Sequence, residues 1–104
     1  MSSKNQEWLE FLEKIMLIDN IKDMEILFNA LTTFAEREDI PKRIGIMEEL
    51  YSGERTQRDI AGKLNVSIAN VTRGVNTIKS IQQHADLKRI IEKISSSKKS
   101  NKKK

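Results

Sequence analysis

The stretch Thr56–Lys79, TQRDIAGKLNVSIANVTRGVNTIK, decides the fold, because it reads as two short helices around one tight turn. Thr56 is followed three residues later by Asp59, so a hydroxyl and a carboxylate can satisfy the orphan amides of a first helical turn as a capping box. Ile60, Ala61 and Leu64 give that helix an apolar face. Asn65 tolerates the left-handed conformation that closes a helix, which places the turn there, and Val66 plugs the corner. Ser67 caps the second helix, in which Ile68, Val71, Val75 and Ile78 share one face. The other face is polar, with Asn70, Thr72, Arg73, Asn76 and Lys79. The pattern is that of a helix-turn-helix.

Outward from this segment the helical periodicity continues. Trp8, Leu9, Phe11, Leu12, Ile15 and Met16 form a stripe that predicts a helix from Gln6 to Ile18, stopping near Asp19 and Asn20. Ile21, Met24, Leu27, Phe28 and Leu31 form a second. Thr33 with Glu36 is another capping box, after which Ile40, Ile44, Met47, Leu50 and Tyr51 line a third helix that ends at Ser52 and Gly53, with Pro41 placed to bend it. Leu87, Ile90, Ile91 and Ile94 supply the sixth.

Composition agrees with an all-α chain: 104 residues, one Pro, four Gly, 5% aromatic and 33% charged side chains. A chain this short buries a limited core, and so much apolar surface suggests that some stripes are completed by another subunit. The chain reads as one domain, residues 5–95, followed by a basic, low-complexity tail at 96–104 that is expected to be disordered and to add non-specific attraction to DNA.

The net charge of +4 hides an asymmetry. Residues 1–54 hold 6 basic and 12 acidic side chains, whereas residues 55–104 hold 13 and 3. Basic charge around a candidate reading helix is what phosphate binding requires, since neutralising phosphates releases condensed counterions.

Other classes are excluded or disfavoured. There is no Cys, which removes disulfides, thiolate metal sites and cysteine nucleophiles. No signal core or run of about 18 apolar residues is present, so the expected location is cytoplasmic, with no membrane partner. The single histidine, His84, has no nearby Ser or metal-ligand spacing, so no enzyme, metal or cofactor is expected.

From Leu31 through Lys79 the chain resembles the Trp repressor family. It carries LTTFAERED, then IPKRIGIMEELYSGERTQRDIA, then VTRGVN, in the family's order and without an evident gap, and the WLEF at residues 8–11 resembles that family's first helix. TRG followed by one residue and Asn is the most specific piece, because a generic helix-turn-helix has no reason to place Gly inside its reading helix. The docking geometry and water-mediated readout described for this repressor are known properties of the family.

The resemblance implies a six-helix intertwined homodimer that binds palindromic operator DNA when L-tryptophan, a corepressor ligand, is lodged between its core and its reading heads. Arg43 and Arg73 align with the family arginines that sandwich the indole ring, Arg73 also meeting the carboxylate; guanidinium suits both tasks. Thr33 aligns with the threonine that reaches the ligand carboxylate from the partner subunit, alongside backbone carbonyls around Ala30 and Thr32 that hold the ammonium. Thr77 stands where the family usually has a serine facing the amino group. Gly74 matches a glycine that leaves room at the ring, and Ile46 and Met47 would line the pocket, a position that core packing explains equally well.

On the DNA side the resemblance implies Gln57 and Arg58 at the first reading helix, Ser67, Ile68, Ala69, Asn70 and Thr72 at the start of the second, and Lys79 on a phosphate. Asn70 departs from the family's threonine in base readout, and Gly45 and Ala61 replace basic residues, so operator preference is expected to differ. Phe34 and Pro41 also replace a proline and a glycine near the subunit core. Control of genes for tryptophan biosynthesis or uptake would follow. The alternatives are a regulator of the same fold that is constitutive or senses an indole derivative, and a protein-interaction module that uses the helix-turn-helix as scaffold.

Overall fold

Six helices and no strand make up the described residues of the computed structural model, which cover 3–102, with side chains described for 5–96. They are α1 (Ser3–Ile15), α2 (Ile21–Leu31), α3 (Phe34–Ser52), α4 (Gln57–Leu64), α5 (Ile68–Ser80) and α6 (His84–Lys102). The all-α reading of the sequence holds. The basic tail expected at 96–104 falls almost wholly on residues whose side chains lie outside this description.

The chain divides into two compact units, Met1–Arg37 and Glu38–Lys104. In the first, Trp8 and Phe11 stack with ring centroids 5.2 Å apart. α1 ends at Ile15, three residues before the end predicted from its apolar stripe, and Met16 to Ile18 continue as a turn in which Leu17 N–H donates to Lys14 O at 3.1 Å and Ile18 N–H to Ile15 O at 3.0 Å. The cause lies just ahead. Asn20 must be extended, at φ −147°, to cap α2 by accepting from Asp23 N–H at 2.8 Å, so the chain leaves the helical path early. Thr33 and Glu36 form the expected reciprocal cap, with Glu36 N–H on Thr33 Oγ1 at 3.1 Å and Thr33 N–H on Glu36 Oε1 at 2.8 Å.

None of the described side chains of this unit is buried. Met16, Leu17 and Ile21 are each more than four-fifths exposed, at 83%, 84% and 82%.

In the second unit α3 continues through Pro41 and closes at Gly53, whose φ of 69° only glycine adopts without cost and whose N–H donates to Glu49 O at 3.2 Å. α4 opens on the Thr56–Asp59 capping box and ends at Asn65 in the left-handed region, φ 57° and ψ 51°, with Val66 N–H reaching back to Ala61 O at 3.0 Å. Ser67 then caps α5 by accepting from Asn70 N–H at 3.1 Å. All three local readings of the helix-turn-helix hold.

The core sits where α3, α4 and α5 meet: Ile46, Ile60, Ala61 and Val71, backed by Leu50, Leu64 and Val66. Of the four residues assigned to the apolar face of α5, Val71 and Ile78 are buried, whereas Ile68 is 48% exposed. Ile68 is the first residue of α5, at the corner where the chain has not yet come beneath the core. α6 is tied to α3 by Ser95 Oγ donating to Glu48 Oε2 at 2.9 Å.

Glu49, 17% exposed, clamps the head to the end of α3. Its Oε2 accepts from Lys63 Nζ of α4 at 2.6 Å, and Oε1 lies 3.2 Å from Arg55 Nε in the connecting loop. The Lys63 hydrogen bond is the main cause that holds the Glu49 carboxyl below its usual range, with charge from Lys63 and Arg55 acting the same way against desolvation. A depressed folded-state pKa stabilises the protein above the unfolded value and ceases to do so as the pH falls through the folded value. The chain is therefore expected to lose stability as the pH falls below the ordinary glutamate value of about 4.3, and Glu49→Gln to lose less over the same fall. Urea unfolding of both proteins at a series of pH values measures the difference; parallel curves would exclude Glu49 as a contributor.

Candidate ligand and nucleic-acid site

A cavity of about 580 Å³ opens between α3 and the helix-turn-helix, within the size range of small-molecule sites. α3 contributes Asp39, Lys42, Arg43 and Met47, the corner contributes Asn65, Val66 and Ser67, and α5 contributes Asn70, Arg73, Gly74 and Thr77. Arg43, Met47, Arg73, Gly74 and Thr77, separated by up to 34 positions in sequence, thus line one cavity. They converge because α5 crosses α3 at the core.

The cavity wall carries three cations, Lys42, Arg43 and Arg73, and one carboxylate, Asp39, around the apolar surface of Met47 and Val66. Each arginine has an acceptor on its own helix. Arg43 Nη2 donates to Asp39 Oδ2 at 2.9 Å, one turn back, and Arg73 Nη1 donates to Asn70 Oδ1 at 2.9 Å. Both guanidiniums are exposed, so their planar faces remain open to an aromatic ring and their forks to a carboxylate. Thr77 adds a hydroxyl that both donates and accepts.

Ile46 is not on the cavity wall. It is 4% exposed and belongs to the core cluster, so of the two explanations open to it from sequence the packing one describes its surroundings. It also explains Gly74. A Cβ on Gly74 would stand 2.8 Å from Ile46 Cγ2 and 3.6 Å from Leu50 Cδ1, so the glycine permits the close approach of α5 to α3 as well as facing the cavity. Gly74→Ala would gain about 1 kcal/mol in helix propensity and incur about 1–3 kcal/mol of overpacking. Because Ile46 is backed by Ile60 and Val71 and has nowhere to yield, the clash wins. Gly74→Ala is expected to lower the urea midpoint, and Ile46→Ala in the same chain to destabilise by less than it does alone. Additive losses would count against the contact.

Ala30, Thr32 and Thr33 belong to the N-terminal unit. There Thr32 caps α2, and its carbonyl accepts from Arg37 Nη1 at 2.7 Å, with Asn29 O and Thr32 Oγ1 also within reach of that guanidinium at 3.3 and 3.2 Å. Arg37 thus faces outward carbonyls at the end of α2, a contact that sequence reading did not anticipate.

Of the residues assigned to DNA, Ser67 and Asn70 also line the cavity. Gln57, Arg58, Ser67, Ile68, Ala69, Thr72 and Lys79 are exposed; Asn70 is half-buried against the cavity. Thr72 Oγ1 donates to Gln57 Oε1 at 3.1 Å, a bond that ties α4 to α5. Reading of the sequence missed Asp39, Lys42, Asn65 and Val66 as cavity residues. The four-residue spacing of Asp39 and Arg43 was a signal that could have found the first of them.

No helix among the described residues is long and apolar enough to cross a membrane. The family profile described as Trp repressor protein matches residues 6–101. A Trp operon repressor homolog of Chlamydia trachomatis serovar D is 42% identical over 81 residues, covering 75% of this chain and 86% of the relative. Trp operon repressor homologs of Vibrio parahaemolyticus and Vibrio cholerae are each 39% identical, over 75 and 74 residues, covering 72% and 71% of this chain and 73% and 72% of theirs.

Proposed function

The chain belongs to the Trp repressor family of DNA-binding transcriptional repressors, and we propose that it is an L-tryptophan-activated repressor that binds palindromic operator DNA as a homodimer. The regulated genes would be those of tryptophan biosynthesis or uptake. One observation carries the reading: the two cavity arginines, Gly74 and Thr77 share a chamber with Ser67 and Asn70, which stand at the start of the reading helix. A ligand there packs beneath α5 and fixes its angle. Arg43 and Arg73 would bracket an indole ring, Arg73 would take the carboxylate and Thr77 the amino group.

Dimerisation is supported by the first unit. Its helices are folded without a buried side chain among those described, and a second copy would supply the missing core. In the dimer the partner subunit's Thr33, with carbonyls at Ala30 and Thr32, would complete the ligand site. Thr32 O keeps a lone pair for that purpose beside its bond from Arg37.

Both reading heads then meet successive major grooves, with Gln57, Arg58, Ser67, Ile68, Ala69, Asn70 and Thr72 toward the bases and backbone and Lys79 on phosphate. A coupling of roughly 1–3 kcal/mol between ligand and DNA corresponds to about 5–150 fold in either affinity. Calorimetry with L-tryptophan, D-tryptophan and indole, followed by operator titration with and without each, tests the reading. Absence of L-tryptophan binding to the purified dimer would sink it, as would an equal operator affinity with and without the ligand.

A further inference from the structure

Asn70 stands apart from its neighbours on the reading face. It is half-buried where the others are exposed, and its amide oxygen accepts from Arg73 Nη1 at 2.9 Å, an exposed bond along α5 between two residues that both line the cavity. Its backbone is fixed independently, by Asn70 N–H on Ser67 Oγ at 3.1 Å, in the first turn of α5. One side chain therefore sits between the ligand chamber and the end of the helix that enters a major groove.

The chemistry of the two contacts is exclusive. A primary amide reads adenine by accepting from N6–H and donating to N7 in one plane. An Asn70 amide whose oxygen is held by Arg73 does not offer that acceptor to an adenine N6–H. A ligand carboxylate is a stronger acceptor for a guanidinium than a neutral amide is, so a carboxylate bound at Arg73 displaces Asn70.

Resting on the tryptophan reading above, we infer that Asn70 transmits ligand occupancy to base recognition: the ligand carboxylate takes Arg73 from the Asn70 amide, which is thereby released to read a base edge. The switch then acts through a side-chain exchange in addition to the angle of α5. It also sets ligand affinity, because the ligand must compete with the amide before it binds.

Opposite signs are expected from two substitutions. Asn70→Ala removes the competitor and tightens L-tryptophan binding to the DNA-free full-length protein by about threefold to tenfold, the equivalent of one modest hydrogen bond. Asn70→Asp places a carboxylate against Arg73 and weakens binding by at least as much. Both leave the Ser67 cap intact, since that cap uses the Asn70 backbone amide. A merely structural role would move both variants in the same direction.

Calorimetric titration of the wild type and both variants with L-tryptophan decides the matter. A second measurement takes a duplex selected by the wild type and substitutes each base pair in turn. One substitution is expected to weaken wild-type binding more with L-tryptophan than without, and Asn70→Ala to erase that difference. Equal ligand affinity in all three proteins, or shifts of one sign, would overturn the role of Asn70 while leaving the tryptophan reading in place. No binding by the wild type would overturn the reading beneath it.

Discussion

Replacing Arg73 by Ala is expected to abolish the gain in operator affinity that L-tryptophan produces, taking a coupling of about 5–150 fold down to one. Arg73 is exposed, lines the cavity and bonds only to Asn70 through its guanidinium among the described hydrogen bonds, so its loss leaves the core of the head untouched. Ligand-free operator binding should fall slightly, as expected for one positive charge removed near a phosphate surface. Arg73→Lys separates charge from shape. An ammonium keeps the charge but has neither a planar face for the indole nor a fork for the carboxylate, so it is expected to restore the ligand-free affinity and little of the switching. Fluorescence anisotropy of a labelled operator, with and without L-tryptophan, measures both quantities. A wild-type ratio retained by Arg73→Ala would mean that the ligand, if any, is held elsewhere.

Ile60→Ala is expected to cost about 2–5 kcal/mol of stability, by lost transfer free energy and by the cavity it leaves. Ile60 is 0% exposed at the meeting point of α3, α4 and α5, where Ile46, Ala61 and Val71 are its buried neighbours. Against a total of roughly 5–15 kcal/mol for a domain, that loss is large, and the head should lose operator binding with it. Ile68→Ala, at a site 48% exposed on the same helix-turn-helix, provides the control and should change stability by no more than about 0.5 kcal/mol. Urea unfolding of both variants separates them. Similar losses at the two positions would place the core somewhere other than under Ile60.

The two isoleucines also mark how far the sequence could be read. Periodicity assigned Ile68 to the apolar face of α5 and left Ile46 out of the α3 stripe, and the resemblance left Ile46 open between pocket and core, yet the first is exposed and the second buried. A pattern of offsets reports which residues share a face, but not where along the helix its neighbour begins. Ile68 precedes the point at which α5 crosses α3; Ile46 lies under it. Gly74 was legible as an unusual residue because glycine inside a helix is costly, and its first physical cause, the methyl of Ile46, became visible only when two helices 28 positions apart were brought together.

The local devices were legible in full. The Thr56–Asp59 box, the left-handed Asn65, the Ser67 cap and the Thr33–Glu36 box each involve groups within a few residues, so side-chain chemistry and spacing suffice to place them. The early end of α1 was not legible, since the apolar stripe runs on through Met16 and only the extended backbone at Asn20 stops it.

The sequence by itself determined the helical class, the position of the helix-turn-helix and the residues that resemble a tryptophan site, because these depend on short-range hydrogen bonding and on residue identity. Tertiary structure decided the rest: that Arg43 and Arg73 line one chamber, and that Asp39 of α3 and Asn70 of α5 line it with them. Those facts depend on how α5 crosses α3, and a crossing is set by volumes at a core point such as Ile46 and Gly74, which no one-dimensional pattern encodes.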